Sequence, residues 1–95
     1  MAKKTVNNNK TNIAKLPNDK PAVYNIKTEG GTVNYVGVAK KGRVQERIEE
    51  HLPGGKDPVP GVKVQIEQVS SIAEAKKIEA AAIKTMQPKY NEQRK

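Results

Sequence analysis

The 95-residue sequence contains no Cys, no Phe and no Trp, only three Tyr and a single His. Without Cys there is no disulfide, no thiolate nucleophile and no zinc site of the Cys type. A single His excludes a His-based metal cluster within one chain. Without Phe or Trp the interior must be built from Val, Ile, Leu, Ala and Met, and each Tyr calls for a reason. No apolar run approaches the roughly 20 residues that span a bilayer, so no membrane association is expected. The Asn-rich N-terminus is not a secretory signal. These absences predict one small, soluble, cytoplasmic domain.

Acidic residues are also scarce: 10 Asp and Glu oppose 18 Lys and Arg, a formal net charge of +8. Residues 1–20 hold five Lys against Asp19, so half the excess sits on about a fifth of the chain. This stretch is polar and lacks sustained periodicity. It is expected to be a disordered basic tail, either a solvated extension or an arm that seeks polyanions. Charge of this kind favours a nucleic-acid partner but does not separate DNA from RNA.

The ordered domain is expected over 21–95. Ala22 to Lys27 alternates, Gly30-Gly31 breaks the pattern, and Val33 to Val38 alternates again, which predicts a β-hairpin. With Gly30-Gly31 as a two-residue loop, Ile26 faces Tyr35 and Tyr24 faces Gly37. The two tyrosines are then diagonal neighbours on one face, with open space beside Tyr24. Gly42 to Leu52 reads as a helix with Val44, Ile48 and Leu52 as its apolar stripe and Arg47 and His51 on one flank. Val62 to Val69 is a third strand. Ser71-Ile72-Ala73-Glu74 is a capping box that starts a helix running to about Met86. The expected fold class is α+β: a small three-stranded antiparallel sheet flanked by helices.

Three groups of residues stand out. On the last helix Glu79 falls at about 340° with Ile72 at 0°, inside the apolar stripe. A carboxylate there is costly unless it is paired, perhaps with Arg47, or holds a metal. Arg47 has the geometry to clamp a phosphate, and His51 can share a proton near neutral pH, although Arg and His one turn apart usually form a wet face. Strand tyrosines are usually packing residues. Other templates fail: Gly30-Gly31 sits in a hairpin turn rather than a phosphate loop, and no Ser lies in a nucleophile elbow.

Taken together these elements resemble the GIY-YIG nuclease family. Its first motif is matched by Ala22-Val23-Tyr24 and its second by Tyr35-Val36-Gly37. Its helix Arg is matched by Arg47, with His51 one turn later, its acidic residue by Glu79, and its closing motif by Gln87-Pro88-Lys89-Tyr90-Asn91. The resemblance covers Pro21 to Asn91. Ala22 stands where the family usually has Gly, and Arg47 lies about two residues further from the second motif than is common, which makes Arg43 the alternative phosphate ligand. The resemblance implies a divalent-metal-dependent endonuclease with a single Mg²⁺ or Mn²⁺ on Glu79, acting on DNA before RNA. It implies catalytic roles for Tyr24, Tyr35, Arg47, His51 and Glu79, with Tyr24 as the base on the attacking water. Arg43, Lys40, Lys41 and Asn91 would contact substrate, Asn91 also supporting Glu79. A homodimer or a partner protein would supply specificity. The competing reading is a non-catalytic nucleic-acid-binding module on the same fold.

Overall fold

The computed structural model describes residues 3–52, 54–56, 58–88 and 90. The elements run β1 (Lys3–Asn7), α1 (Lys10–Ile13), β2 (Ala22–Lys27), β3 (Val33–Ala39), α2 (Val44–Glu49), β4 (Lys63–Gln68) and α3 (Ile72–Met86). The strands form one antiparallel sheet in the order β1-β4-β2-β3.

The sheet therefore has four strands rather than the expected three, and the fourth comes from the segment expected to be disordered. β1 pairs along β4, with Val6 opposite Val64. Asn9 caps α1, its side chain accepting from the Asn12 N–H. Ile13 and Leu16 are buried. The individual apolar residues of this stretch are too widely spaced to show a period. They order it because the sheet offers an unpaired β4 edge and the core a place for two large aliphatic side chains.

The hairpin has the expected register, Ile26 opposite Tyr35 and Tyr24 opposite Gly37, but it arrives there differently. Thr28 N–H donates to Thr32 O at 2.8 Å and Gly31 adopts φ +90°, so the loop holds three residues with Gly in the left-handed position. A bulge on β3 between the partners of Ile26 and Lys27 absorbs the extra residue.

Alternation along the sheet builds two apolar layers. Tyr24, Ile26, Val64 and Ile66 face Ile13, Leu16, Val44 and Ile48 of the α1–α2 side. Val23, Val36 and Val69 face Ala75, with Ile72, Ile78, Ala82 and Ile83 of α3 packed against them. Central β2 is thus buried on both sides. The capping box is half formed: Ser71 Oγ accepts from Glu74 N–H, while the Glu74 carboxylate accepts from Ser70 Oγ at 2.8 Å. Gln87 ends α3 in the left-handed region, and Met86 is exposed where an inward position was expected. The buried face of α3 is therefore turned toward Ala75, Ile78 and Ala82, leaving Glu79 half-buried on its shoulder.

Candidate functional site

α2 spans only Val44–Glu49, shorter than expected, and its short length separates two residues that sequence placed on one flank. Arg47 stays on the helix and is exposed. His51 lies in the turn that follows, where Val59 N–H donates to its carbonyl, and is 2 % exposed. There it meets Tyr24: the phenol oxygen and His51 Nε2 are 2.8 Å apart. With the imidazole neutral and protonated on Nδ1, the phenol donates. Tyr35 completes the cluster, its ring 4.7 Å from His51 and 6.1 Å from Tyr24 between centroids. Tyr24 is fully buried, whereas Tyr35 is half-buried.

Gly37 does not leave open space beside Tyr24. The end of the phenol ring fills that space, and a Cβ on Gly37 would lie 2.5 Å from Tyr24 Cζ and Oη and 2.9 Å from Tyr35 Cε2. The glycine of the second motif is needed here for close approach rather than for backbone conformation, since its φ is not positive.

Burial drives the Tyr24 phenol well above its ordinary range, and Tyr35, Glu50 and Glu79 push the same way while Arg47 opposes them. Tyr24 is thus a neutral phenol facing a histidine. Its surroundings do not suit the expected part of a base working directly on water.

Arg47 and Arg43 both line a cleft of about 240 Å³ together with Val38, Ala39, Lys40, Ile72 and Lys76. The cleft lies between α2 and α3 where both pass β3, an edge strand of the sheet. Arg43 is tied to Glu46 at 2.8 Å, and Arg47 sits 3.5 Å from Glu50. Among the described residues no ion pair closes on Glu79, so the Arg47–Glu79 pair considered from sequence is not formed. Desolvation holds the Glu79 carboxyl above its ordinary range, with the charges of Lys76 and Arg47 pulling it back. The charge of Arg47 bears on both Tyr24 and Glu79.

Six of the expected site residues therefore gather in two adjoining places: Tyr24, Tyr35 and His51 in the aromatic cluster, and Arg47, Arg43 and Lys40 in the cleft beside Glu79. Lys41 turns elsewhere, toward Asp19. Asn91 lies outside the described residues. Lys76 was not singled out from sequence; its place three residues before Glu79, on the same side of α3, was the available signal.

No protein-family model matches the chain, and no curated protein matches it. Solved structures do. The chain is similar to the GIY-YIG N-terminal endonuclease domain of UvrC from Thermotoga maritima in several forms. A tyrosine-to-phenylalanine point mutant bound to its catalytic divalent cation aligns at TM-score 0.63 and 26 % identity, over 84 % of this chain and 90 % of that one. The magnesium-bound form aligns at TM-score 0.61 and 28 % identity, over 83 % and 94 %. An asparagine-to-alanine mutant, also with its catalytic divalent cation, aligns at 0.61 and 28 %, over 83 % and 93 %. The two tyrosine-bearing strands, the Arg helix and the Glu helix follow the order the motifs require, and the chain's fold is consistent with a GIY-YIG domain.

Proposed function

We propose that this domain is a divalent-metal-dependent endonuclease that hydrolyses phosphodiester bonds, with DNA as the expected substrate. The observation that carries this reading is the cleft itself. It gathers Lys40, Arg43, Arg47 and Lys76 beside a half-buried Glu79 that forms no ion pair among the described residues, and next to a buried Tyr–His pair. A module that only bound nucleic acid would need the cations but neither the inward carboxylate nor the buried proton-sharing pair.

The donor set fits a hard, water-rich ion. Among the described residues no three His, Asp or Glu side chains converge. Mg²⁺ commonly uses one or two carboxylates and keeps several waters, and Glu79 is a carboxylate whose desolvation is only partly offset by nearby cations. Glu79 would hold the ion, which when bound supplies charge stabilisation to phosphate and leaving oxygen.

The protein's own groups do the rest. Arg47 places a fixed, two-pronged positive charge at the phosphate, aided by Lys76 and Lys40. Tyr35, half-exposed and adjacent to Tyr24 over Gly37, orients the attacking water. His51 is the group of this cluster with a ring nitrogen placed to accept a proton from the Tyr24 oxygen. A proton reaching the Tyr24 oxygen can pass to Nε2 along the 2.8 Å bond, so that no buried phenolate forms. Tyr24 is in this reading a positioning and relay residue. Asn91, outside the described residues, is kept as a proposed substrate contact.

Glu79→Gln tests the reading. The raised Glu79 pKa means that ionising this group opposes folding, an effect absent in acid and growing as pH rises through the carboxylate range. The variant should melt no lower than wild type in EDTA at neutral pH, lose the stabilisation that Mn²⁺ gives wild type, and retain DNA binding without cleavage. Equal metal responses, or wild-type cleavage by Glu79→Gln, would refute the mechanism. Digestion of single-stranded, duplex and branched DNA alongside RNA, with sizing of the protein by light scattering, identifies the polymer and tests for a homodimer.

A further inference from the structure

The N-terminal segment holds exposed lysines on a support that is hydrogen-bonded to the start of α2, beside the cleft. Asn18 grips the start of α2: its carbonyl accepts from Gly42 N–H and its side chain from Val44 N–H, both at 2.8 Å. Gln45 Nε2 donates to the carbonyls of Ala14 and Leu16, at 3.0 and 2.7 Å, on either side of Lys15. The backbone at Lys15 is thereby held beside α2, with its side chain exposed. Lys20 and Lys41 both act on the Asp19 carboxylate, which sits low chiefly because Gln68 donates to it at 2.9 Å. Lys41 adjoins Lys40, which lines the cleft. Along this line lie five cations, Lys15, Lys20, Lys41, Lys40 and Arg43; among the described residues the carboxylates paired with them are two. One of these, Asp19, is tied to Gln68 and the other, Glu46, to Arg43.

We propose that Lys15, Lys20 and Lys41 form a preset track for the phosphate backbone of duplex DNA, leading from the cleft around the start of α2 onto the N-terminal segment. This rests on the nuclease reading of the cleft and says where the rest of the substrate lies. Because the segment is folded onto the sheet, its lysines engage phosphate without the ordering cost of a flexible arm. It also accounts for half the net charge being carried by residues that otherwise serve only as a strand and a brace.

The test is a salt series of duplex binding. A labelled DNA of two helical turns (~20 base pairs) is titrated in EDTA by fluorescence anisotropy with wild type, Lys15→Gln/Lys20→Gln and Lys77→Gln/Lys84→Gln. The last pair removes the same charge from exposed positions on α3. The track predicts that the slope of log affinity against log salt falls by about 1.8 for the first pair, ~0.9 per lost contact, and stays near wild type for the second. Equal flattening by both pairs, no flattening by the first, or no duplex binding by wild type overturns it. If Lys15→Gln/Lys20→Gln fails to fold, the two single variants carry the same comparison at half the slope change. Absence of metal-dependent cleavage with the slope contrast intact refutes the nuclease reading alone. Cleavage without the contrast refutes the track alone.

Discussion

Gly37→Ala adds one methyl group, and its effect should change sign with the residue at position 24. Gly37 has no positive φ, so on backbone grounds alone Ala should stabilise by about 0.4–1 kcal/mol through the unfolded state. The structure overrides this. The new Cβ would sit 2.5 Å from Tyr24 Cζ and Oη, where ordinary contact begins at 3.4 Å. The ring must withdraw by roughly 1 Å, yet it is fully buried and bonded to His51 at 2.8 Å. Overpacking typically costs 1–3 kcal/mol, and losing the hydrogen bond adds about 1 kcal/mol. Against the backbone gain, the net loss is about 1–3.5 kcal/mol. For a domain of this size that lowers the melting temperature by roughly 4–28 °C. Thermal melts of wild type, Gly37→Ala, Tyr24→Ala and the double variant close a cycle. In the Tyr24→Ala background the same methyl should be neutral or stabilising, a coupling well beyond additivity. Additive effects, or a Gly37→Ala melt within a degree of wild type, would show that the ring does not occupy the space over Gly37.

Tyr24 also predicts an alkaline signature. Its folded pKa is raised above the ordinary phenol value of about 10, so its contribution to stability is fully present below that pH and lost as pH climbs above it. Phenolate absorbance should show one of the three tyrosines ionising only with unfolding, and in Tyr24→Phe that phase should vanish and the alkaline loss shrink. Arg47→Ala should remove most cleavage with little change in melting temperature, because the side chain is exposed, and Arg43→Ala should do less; the reverse order in single-turnover assays would reassign the phosphate ligand. Leu16→Ala should lower stability by about 2–5 kcal/mol in urea melts, as for a buried core leucine, whereas a disordered N-terminus would leave it unchanged.

Wherever the period of the pattern matches a regular element, the sequence is legible. Alternation marks β2, β3 and β4, the Ser71 cap marks the start of α3, and pairing across the hairpin sets Tyr24 against Gly37 whatever the loop length, because a bulge compensates. The apolar stripe brings Glu79 to the inner side of its helix, and five motif elements in order point to one family. What sequence could not decide depends on contacts between distant segments. β1 and α1 carry too few apolar residues to form a period, and only the β4 edge and the core pocket for Ile13 and Leu16 give them order. Arg47 and His51 share a helical flank on paper, but α2 ends between them, sending the arginine to solvent and the histidine into the core against Tyr24. The space beside Tyr24 is filled by its own ring, and the phenol is neutralised by burial, a property of the three-dimensional surroundings alone. Local pattern thus named the residues of the candidate site. Tertiary packing, by setting burial and distance, decided which of them line the cleft and which lie buried behind it.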